Sequence, residues 1–183
     1  GAPNDILFGE DFAGTVEAVG ESVTRFKPGD AVFGSRGGSI AEYLAVRECG
    51  AIVDTPANVT FAEASGVGIA AVTALQGLRD IGQLQPGQHV LINGASGGVG
   101  TYAVQIAKAL GARVTGVWST RNVELVKSLG ADRVIDYTKE NFTDDSEQYD
   151  MILDNVSTQS LSAMRRVLKP NGRIDIVGGV TRD

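Results

Sequence analysis

One cysteine, Cys49, and one histidine, His89, stand in a chain of 183 residues. A disulfide framework is excluded, and so is a zinc site built from Cys and His within the chain. Such sparse cysteine fits a reducing compartment. Cationic runs are also missing. The 16 Lys and Arg residues are scattered, against 22 Asp and Glu, for a net charge of −6, which argues against nucleic acid as a partner. The acids at Glu140, Asp144, Asp145, Glu147 and Asp150 read as a solvated surface. No apolar run has the length a membrane span needs, and Gly1-Ala2-Pro3-Asn4-Asp5 lacks the basic start and apolar core of a signal peptide. A cytoplasmic address is expected. With 43% hydrophobic and 21% charged residues, the composition is that of a globular protein. The length suits one domain or one and a fraction.

The rhythm of the chain changes once. Up to about residue 56 the pattern is short and β-like: Phe12 to Val19, Ala31 to Phe33 and Ala41 to Val46 suit strands, and Phe26-Lys27-Pro28-Gly29-Asp30 a turn. At Thr60-Phe61-Ala62-Glu63 the spacing of Thr and Glu is that of a capping box, opening an alanine-rich helix to about Asp80. From residue 89 strands and helices alternate. Strands are expected at Val90 to Ile92, Val114 to Trp118, Val134-Ile135, Met151 to Leu153 and Ile174 to Val177. Helices are expected at Val99 to Leu110, Val123 to Leu129 and Leu161 to Leu168, the last ended by Lys169-Pro170-Asn171-Gly172. This alternation implies βαβ units and a parallel sheet.

Between the first of these strands and its helix runs Leu91-Ile92-Asn93-Gly94-Ala95-Ser96-Gly97-Gly98-Val99-Gly100. Read from Ala95, it is a variant of G-x-G-x-x-G with Ala first. One small residue permits the tight turn, Gly97 lets backbone approach a pyrophosphate, and Gly100 lets the helix pack close to the strand. The helix N-terminus offers unpaired N–H groups and a partial positive charge to that anion. A plain Gly-rich turn is the bland alternative, and the βαβ placement weighs against it.

Dinucleotide-binding proteins that take NAD place an acid about 20 residues past such a loop, on the ribose hydroxyl. Here Gly116-Val117-Trp118-Ser119-Thr120-Arg121-Asn122 has none. A carboxylate would repel a 2′-phosphate, whereas the Arg121 fork can hold one, which favours NADPH over NADH. Ser119-Thr120 also suits a helix cap.

Several stretches together, GEDFAGTVEAVG, FKPGDAVFG, AEYLAV, AAVTALQGL, INGASGGVGTYAVQIAKALGA, STRNVELVKSLGADRVIDY and YDMILDNV, resemble the medium-chain dehydrogenase/reductase superfamily in its zinc-independent quinone oxidoreductase, or zeta-crystallin-like, branch. The resemblance implies an α/β fold: a Rossmann doubly wound parallel sheet over residues 61–183, its last strand missing, preceded by part of a GroES-like β domain over residues 1–60. It implies hydride transfer from NADPH to a quinone or an activated alkene. The zinc branch has Gly-His-Glu where this chain has Gly9-Glu10-Asp11, and a cysteine ligand where Gly66 to Gly68 stand. A zinc alcohol dehydrogenase is therefore disfavoured.

The resemblance also assigns site residues. Ser96, Gly97, Gly98 and Val99 should face the pyrophosphate. Ser119 and Arg121 should meet the 2′-phosphate, with Thr120 beside them. Tyr137 matches a tyrosine near the adenosine phosphate, or packs at a strand end. Thr73 matches a threonine near the nicotinamide, or bonds back within its helix. Asn155 and Val156 end the fourth strand, and Gly178 and Gly179 the fifth, where a dinucleotide crosses the sheet edge. His89 reads as structural and Cys49 as a thiol without a role. Relative to the family the chain reads as a piece, lacking the first GroES-like strands and the sixth Rossmann strand that commonly pairs two subunits into a homodimer. A methyltransferase would want acids where Asn93 and Trp118 stand. A non-catalytic NADPH-binding module is the other alternative.

Overall fold

The computed structural model describes residues 8–178. Two compact units divide the chain, Gly1–Val72 and Thr73–Asp183.

In the first unit β1 (Asp11–Thr15), β2 (Ala31–Ser35) and β3 (Ile52–Asp54) form an antiparallel sheet in that order. Phe26, Val32 and Ile52 make its small core, with Phe12, Val16, Val23 and Val46 packed against them. β1 ends at Thr15 rather than at Val19. Its partner chain turns at Lys27–Asp30, where Gly29 has φ +94 and donates its N–H to Val16 O, so residues 17–19 meet no ladder. Residues 41–46 are not a strand, and Tyr43 within them is 76% exposed.

The capping box at Thr60 forms: Thr60 N donates to Glu63 Oε2 at 2.9 Å, and Glu63 N to Thr60 Oγ1 at 3.2 Å. The helix it opens is nevertheless short. α1 covers Phe61–Ala64, a turn follows, α2 covers Ala70–Leu75, and Gln76–Ile81 continue as a π-helical turn. The expected continuous helix is interrupted where the Ile69 N–H is taken by Asp11 Oδ1 at 2.8 Å instead of by its own preceding turn.

The second unit is a parallel sheet of β4 (His89–Asn93), β5 (Arg113–Trp118), β6 (Arg133–Asp136), β7 (Tyr149–Asp154) and β8 (Leu168–Ile176), ordered β6-β5-β4-β7-β8. This is the doubly wound order, reversing at β4. α3 (Gly98–Ala109), α4 (Val123–Ser128) and α5 (Leu161–Arg166) connect strands. Ala103, Val104 and Ala107 of α3 and Val126 of α4 pack on Val90, Ile92 and Val114. Met164 and Val167 pack with Leu91, Ile152 and Tyr149 on the opposite face. Because both faces are covered, every residue of β4 is buried. α5 stops at Arg166, since Leu168 already pairs with Tyr149. The expected Lys169–Gly172 turn becomes a bulge in β8, with Asn171 at φ +65.

Polar groups close the amino-terminal edge of the sheet. His89 Nε2 shares a hydrogen bond with Thr115 Oγ1 at 2.8 Å, and Nδ1 faces Glu147 Oε2 at 3.5 Å. Burial, helped by the Arg113 charge, holds the His89 pKa below its ordinary value. Among the described residues no helix is long and apolar enough to cross a membrane.

Candidate functional site

The carboxyl ends of the five parallel strands carry most of the residues singled out from the sequence. The loop after β4 turns on Gly94, not on Ala95. Gly94 has φ +83, and a Cβ there would lie 2.7 Å from Val156 Cγ2 and 3.2 Å from Asn155 Cβ. Gly100 sits where a side chain would run into the Gly94 carbonyl oxygen, with Ala95 Cα at 2.8 Å. These two positions are closed by backbone. Between them the loop is open: a Cβ at Gly97 would meet only Gly94 O, at 3.3 Å, and one at Gly98 would meet nothing within 4 Å. The N-cap of α3 is Gly97, which has no side chain to cap with. The first N–H groups of α3 therefore point into that space without a protein acceptor. Such a cradle, bare of side chains at a helix N-terminus, fits an anionic phosphate group.

Ser96 is half-buried. With both of its amide atoms satisfied, the Asn122 carboxamide accepts from Ser96 Oγ at 2.8 Å and from Trp118 Nε1 at 3.0 Å, and donates to Arg121 O at 3.2 Å. Asn122 thus ties the glycine loop to the end of β5, a role the sequence reading passed over. Val99, the second residue of α3, is half-buried beside Gly98.

Ser119, Thr120 and Arg121 follow β5. No acid follows β5 in sequence, but the fold brings one from β6. The Thr120 hydroxyl donates to Asp136 Oδ2. Thr138 N donates to Oδ1 at 3.0 Å and Thr138 Oγ1 to the same oxygen at 2.7 Å, while Lys139 Nζ stands 3.3 Å from Oδ2. Thr120 and its neighbours hold the Asp136 pKa well below the usual carboxylate range. Ser119 makes no side-chain cap, so the capping alternative fails there. Arg121 is exposed, and among the described residues its guanidinium has no carboxylate partner. Tyr137 is 59% exposed, and its N–H donates to Trp118 O at 3.1 Å, which sets the two strand ends side by side.

Asn155 and Val156 follow β7 and lie against Gly94. Asn155 Nδ2 donates to Asn93 O at 2.9 Å. Beneath them the fully buried Asp154 accepts from Asn93 Nδ2 at 2.9 Å and from the N–H groups of Val156 and Ser157 at 3.0 Å. Asn93 and Asp154 were legible only as polar residues ending apolar strands. Gly178 joins this group: its carbonyl accepts from Ser157 Oγ, and a Cβ on it would be 3.1 Å from Asn155 O. Gly179 lies outside the described residues. Thr73 stands apart on α2, half-buried, with no hydrogen bond tying it to the strand ends.

Residues 1–71 match a family model described as alcohol dehydrogenase GroES-like domain, and residues 98–183 match one described as zinc-binding dehydrogenase. The chain is 39% identical to the 2-methylene-furan-3-one reductase of Solanum lycopersicum over 98% of its length and 49% of that protein. It is 37% identical to the NADPH-dependent alkenal/one oxidoreductase, chloroplastic, of Arabidopsis thaliana, covering 98% of this chain and 49% of that one. Among solved structures, the quinone oxidoreductase of Pseudomonas syringae pv. Tomato DC3000 superposes with a TM-score of 0.81 at 33% identity, over 91% of this chain and 54% of that one.

The chain belongs to the medium-chain dehydrogenase/reductase superfamily.

Its relatives place it in the zeta-crystallin-like branch of that superfamily. The chain spans about half the length of the curated relatives it matches. The superfamily includes zinc enzymes, as the description zinc-binding dehydrogenase says. A side chain at Gly68 would collide with the Asp11 carboxylate and lie 2.9 Å from Gly34 O, and the Asp11 carboxylate is itself bonded to the Ile69 N–H. Among the described residues no three His, Cys, Asp or Glu side chains converge as a metal site requires. The described residues do not fit zinc.

Proposed function

We propose that this chain is the nucleotide-binding part, with a portion of the substrate domain, of an NADPH-dependent reductase acting on a quinone or an enone without zinc. The observation that carries the reading is the bare segment Gly97–Gly98 at the uncapped start of α3. Residues 1–60 belong to the GroES-like substrate domain and residues 61–183 to the Rossmann domain. Ser96, Gly97, Gly98 and Val99 hold the pyrophosphate. Ser119, Thr120, Arg121 and Tyr137 surround the adenosine 2′-phosphate. Asn155, Val156 and Gly178 lie where the dinucleotide crosses the sheet edge, and Thr73 lies toward the nicotinamide. When bound, NADPH supplies a hydride. The protein then acts by orienting the two partners and by hydrogen-bonding the substrate oxygen onto which charge spreads. No residue of this chain is assigned as catalytic. The names of the tomato, Arabidopsis and Pseudomonas relatives support the enone and quinone classes. The full-length enzyme is read as a homodimer in a reducing compartment, the cytoplasm.

Titration with NADPH, NADH and S-adenosylmethionine tests the cofactor, and a quinone or enone assay of the full-length protein tests turnover. NADPH should bind at least about tenfold tighter than NADH, the equivalent of roughly 1.4 kcal/mol, within the range of a hydrogen bond to a charged group. Arg121→Ala should narrow that gap. Equal binding of the two nucleotides removes the specificity argument.

A further inference from the structure

Arg121 is not the only cation at the end of β5. Lys139, three residues past the end of β6 and remote from Arg121 in sequence, is held there by Asp136. Asp136 Oδ2 accepts from the Thr120 hydroxyl and lies 3.3 Å from Lys139 Nζ, so the ammonium is one carboxylate away from the residue preceding Arg121. The Tyr137 N–H bond to Trp118 O, at 3.1 Å, pins the two strand ends together. At this point the Thr120 and Thr138 hydroxyls stand 3.2 Å apart, and Arg121, the residue after Thr120, is exposed.

The carboxylate creates a problem for a phosphate site. Asp136 is buried to 10% side-chain exposure and ionised, and a dianion arriving beside it would be repelled. All four of its close donors are internal: Thr120, the Thr138 N–H and hydroxyl, and Lys139. Only the last carries charge, and its stem is mobile in reach, with the Lys139 side chain 68% exposed. Glu140, the next residue, is exposed to solvent.

We propose that Lys139 is a specificity-determining residue for the phosphorylated dinucleotide: parked on Asp136, it cancels that charge and supplies, with Arg121, the second cation for the 2′-phosphate. The inference rests on the NADPH reading above. It makes cofactor preference a property of two strand ends, β5 and β6, rather than of the β5 turn alone. Asp136 is then a positioning residue, holding Lys139 beside Thr120 and Thr138.

The test is calorimetric titration of the full-length protein with NADPH and NADH, for the wild type, Lys139→Gln and Lys139→Arg, at two salt concentrations. Lys139→Gln should weaken NADPH by about three- to fivefold, the scale of an exposed ion pair, and leave NADH within about twofold. Its NADPH affinity should also depend less on salt, and Lys139→Arg should restore both properties. A wild type that prefers NADPH, with the preference unchanged in Lys139→Gln, overturns the role of Lys139 and leaves the cofactor reading standing. A wild type that binds both nucleotides equally overturns the cofactor reading and this inference together.

Discussion

Gly98 and Gly100 stand two residues apart at the start of α3, and the same substitution should do opposite things to them. At Gly100 an added methyl meets backbone: the Gly94 carbonyl, and Ala95 Cα and carbonyl carbon at 2.8 Å. Backbone atoms of a buried strand-to-helix turn cannot rotate aside as a side chain can. Overpacking of this kind costs about 1–3 kcal/mol, and the upper end applies here. Alanine regains roughly 1 kcal/mol as a better helix former than glycine. Gly100→Ala should therefore lose about 2 kcal/mol net, which lowers Tm by roughly 10 °C for a unit of this size. At Gly98 a Cβ meets nothing within 4 Å. Gly98→Ala should leave stability unchanged or raise it by the few tenths to about 1 kcal/mol that a compatible Gly→Ala change gives. Its methyl, however, occupies the space over the uncapped N–H groups, and NADPH affinity should fall at least about tenfold, the loss of roughly 1.4 kcal/mol of phosphate contact. Thermal unfolding and fluorescence titration of both variants separate the two effects. If Gly98→Ala melts as early as Gly100→Ala, the open cradle is wrong. If it binds NADPH as the wild type does, the loop does not grip a phosphate.

Arg121→Ala should reduce the NADPH preference while leaving the unfolding free energy within about 0.5 kcal/mol of wild type, as for other surface changes; a matched loss of NADH affinity would place Arg121 elsewhere. His89 is held neutral by burial, with its folded pKa below the unfolded value near 6.5. Its contribution is intact above about pH 6.5 and is lost as pH falls from there toward the folded pKa, because the unfolded chain takes up a proton that the fold resists. Melting from pH 7.5 to 5.5 should show this slope, and His89→Gln should flatten it; equal slopes would refute the assignment. Asp154→Ala strips the acceptor from Asn93 Nδ2 and from the Val156 and Ser157 N–H groups. At about 1 kcal/mol or more for the buried Asn93 amide and less for the two partly buried N–H groups, the loss should reach roughly 2 kcal/mol, read as a denaturation midpoint; an unchanged midpoint would show that water replaces the carboxylate.

What the amino-acid order determined by itself is whatever depends on neighbours in sequence. Five strands alternating with helices follow from short apolar runs such as Val90–Ile92 broken by turn residues, because the interior of a strand covered on both faces must be apolar. The capping box at Thr60 and Glu63 needs only its four residues, and a bare loop at a helix start is visible as glycine. Tertiary structure decided the rest, because side chains and N–H groups take partners from anywhere the fold brings them. Asp11 reaches across 58 residues to claim the Ile69 N–H and stops a helix that local propensity would continue. Residues 41–46 alternate like a strand but gain no ladder, since a strand exists only where another pairs with it. Trp118 ends β5 with no acid after it, yet Asp136 arrives from β6 and brings Lys139 with it. Charge around a site is summed over space, and sequence spacing records only part of that sum.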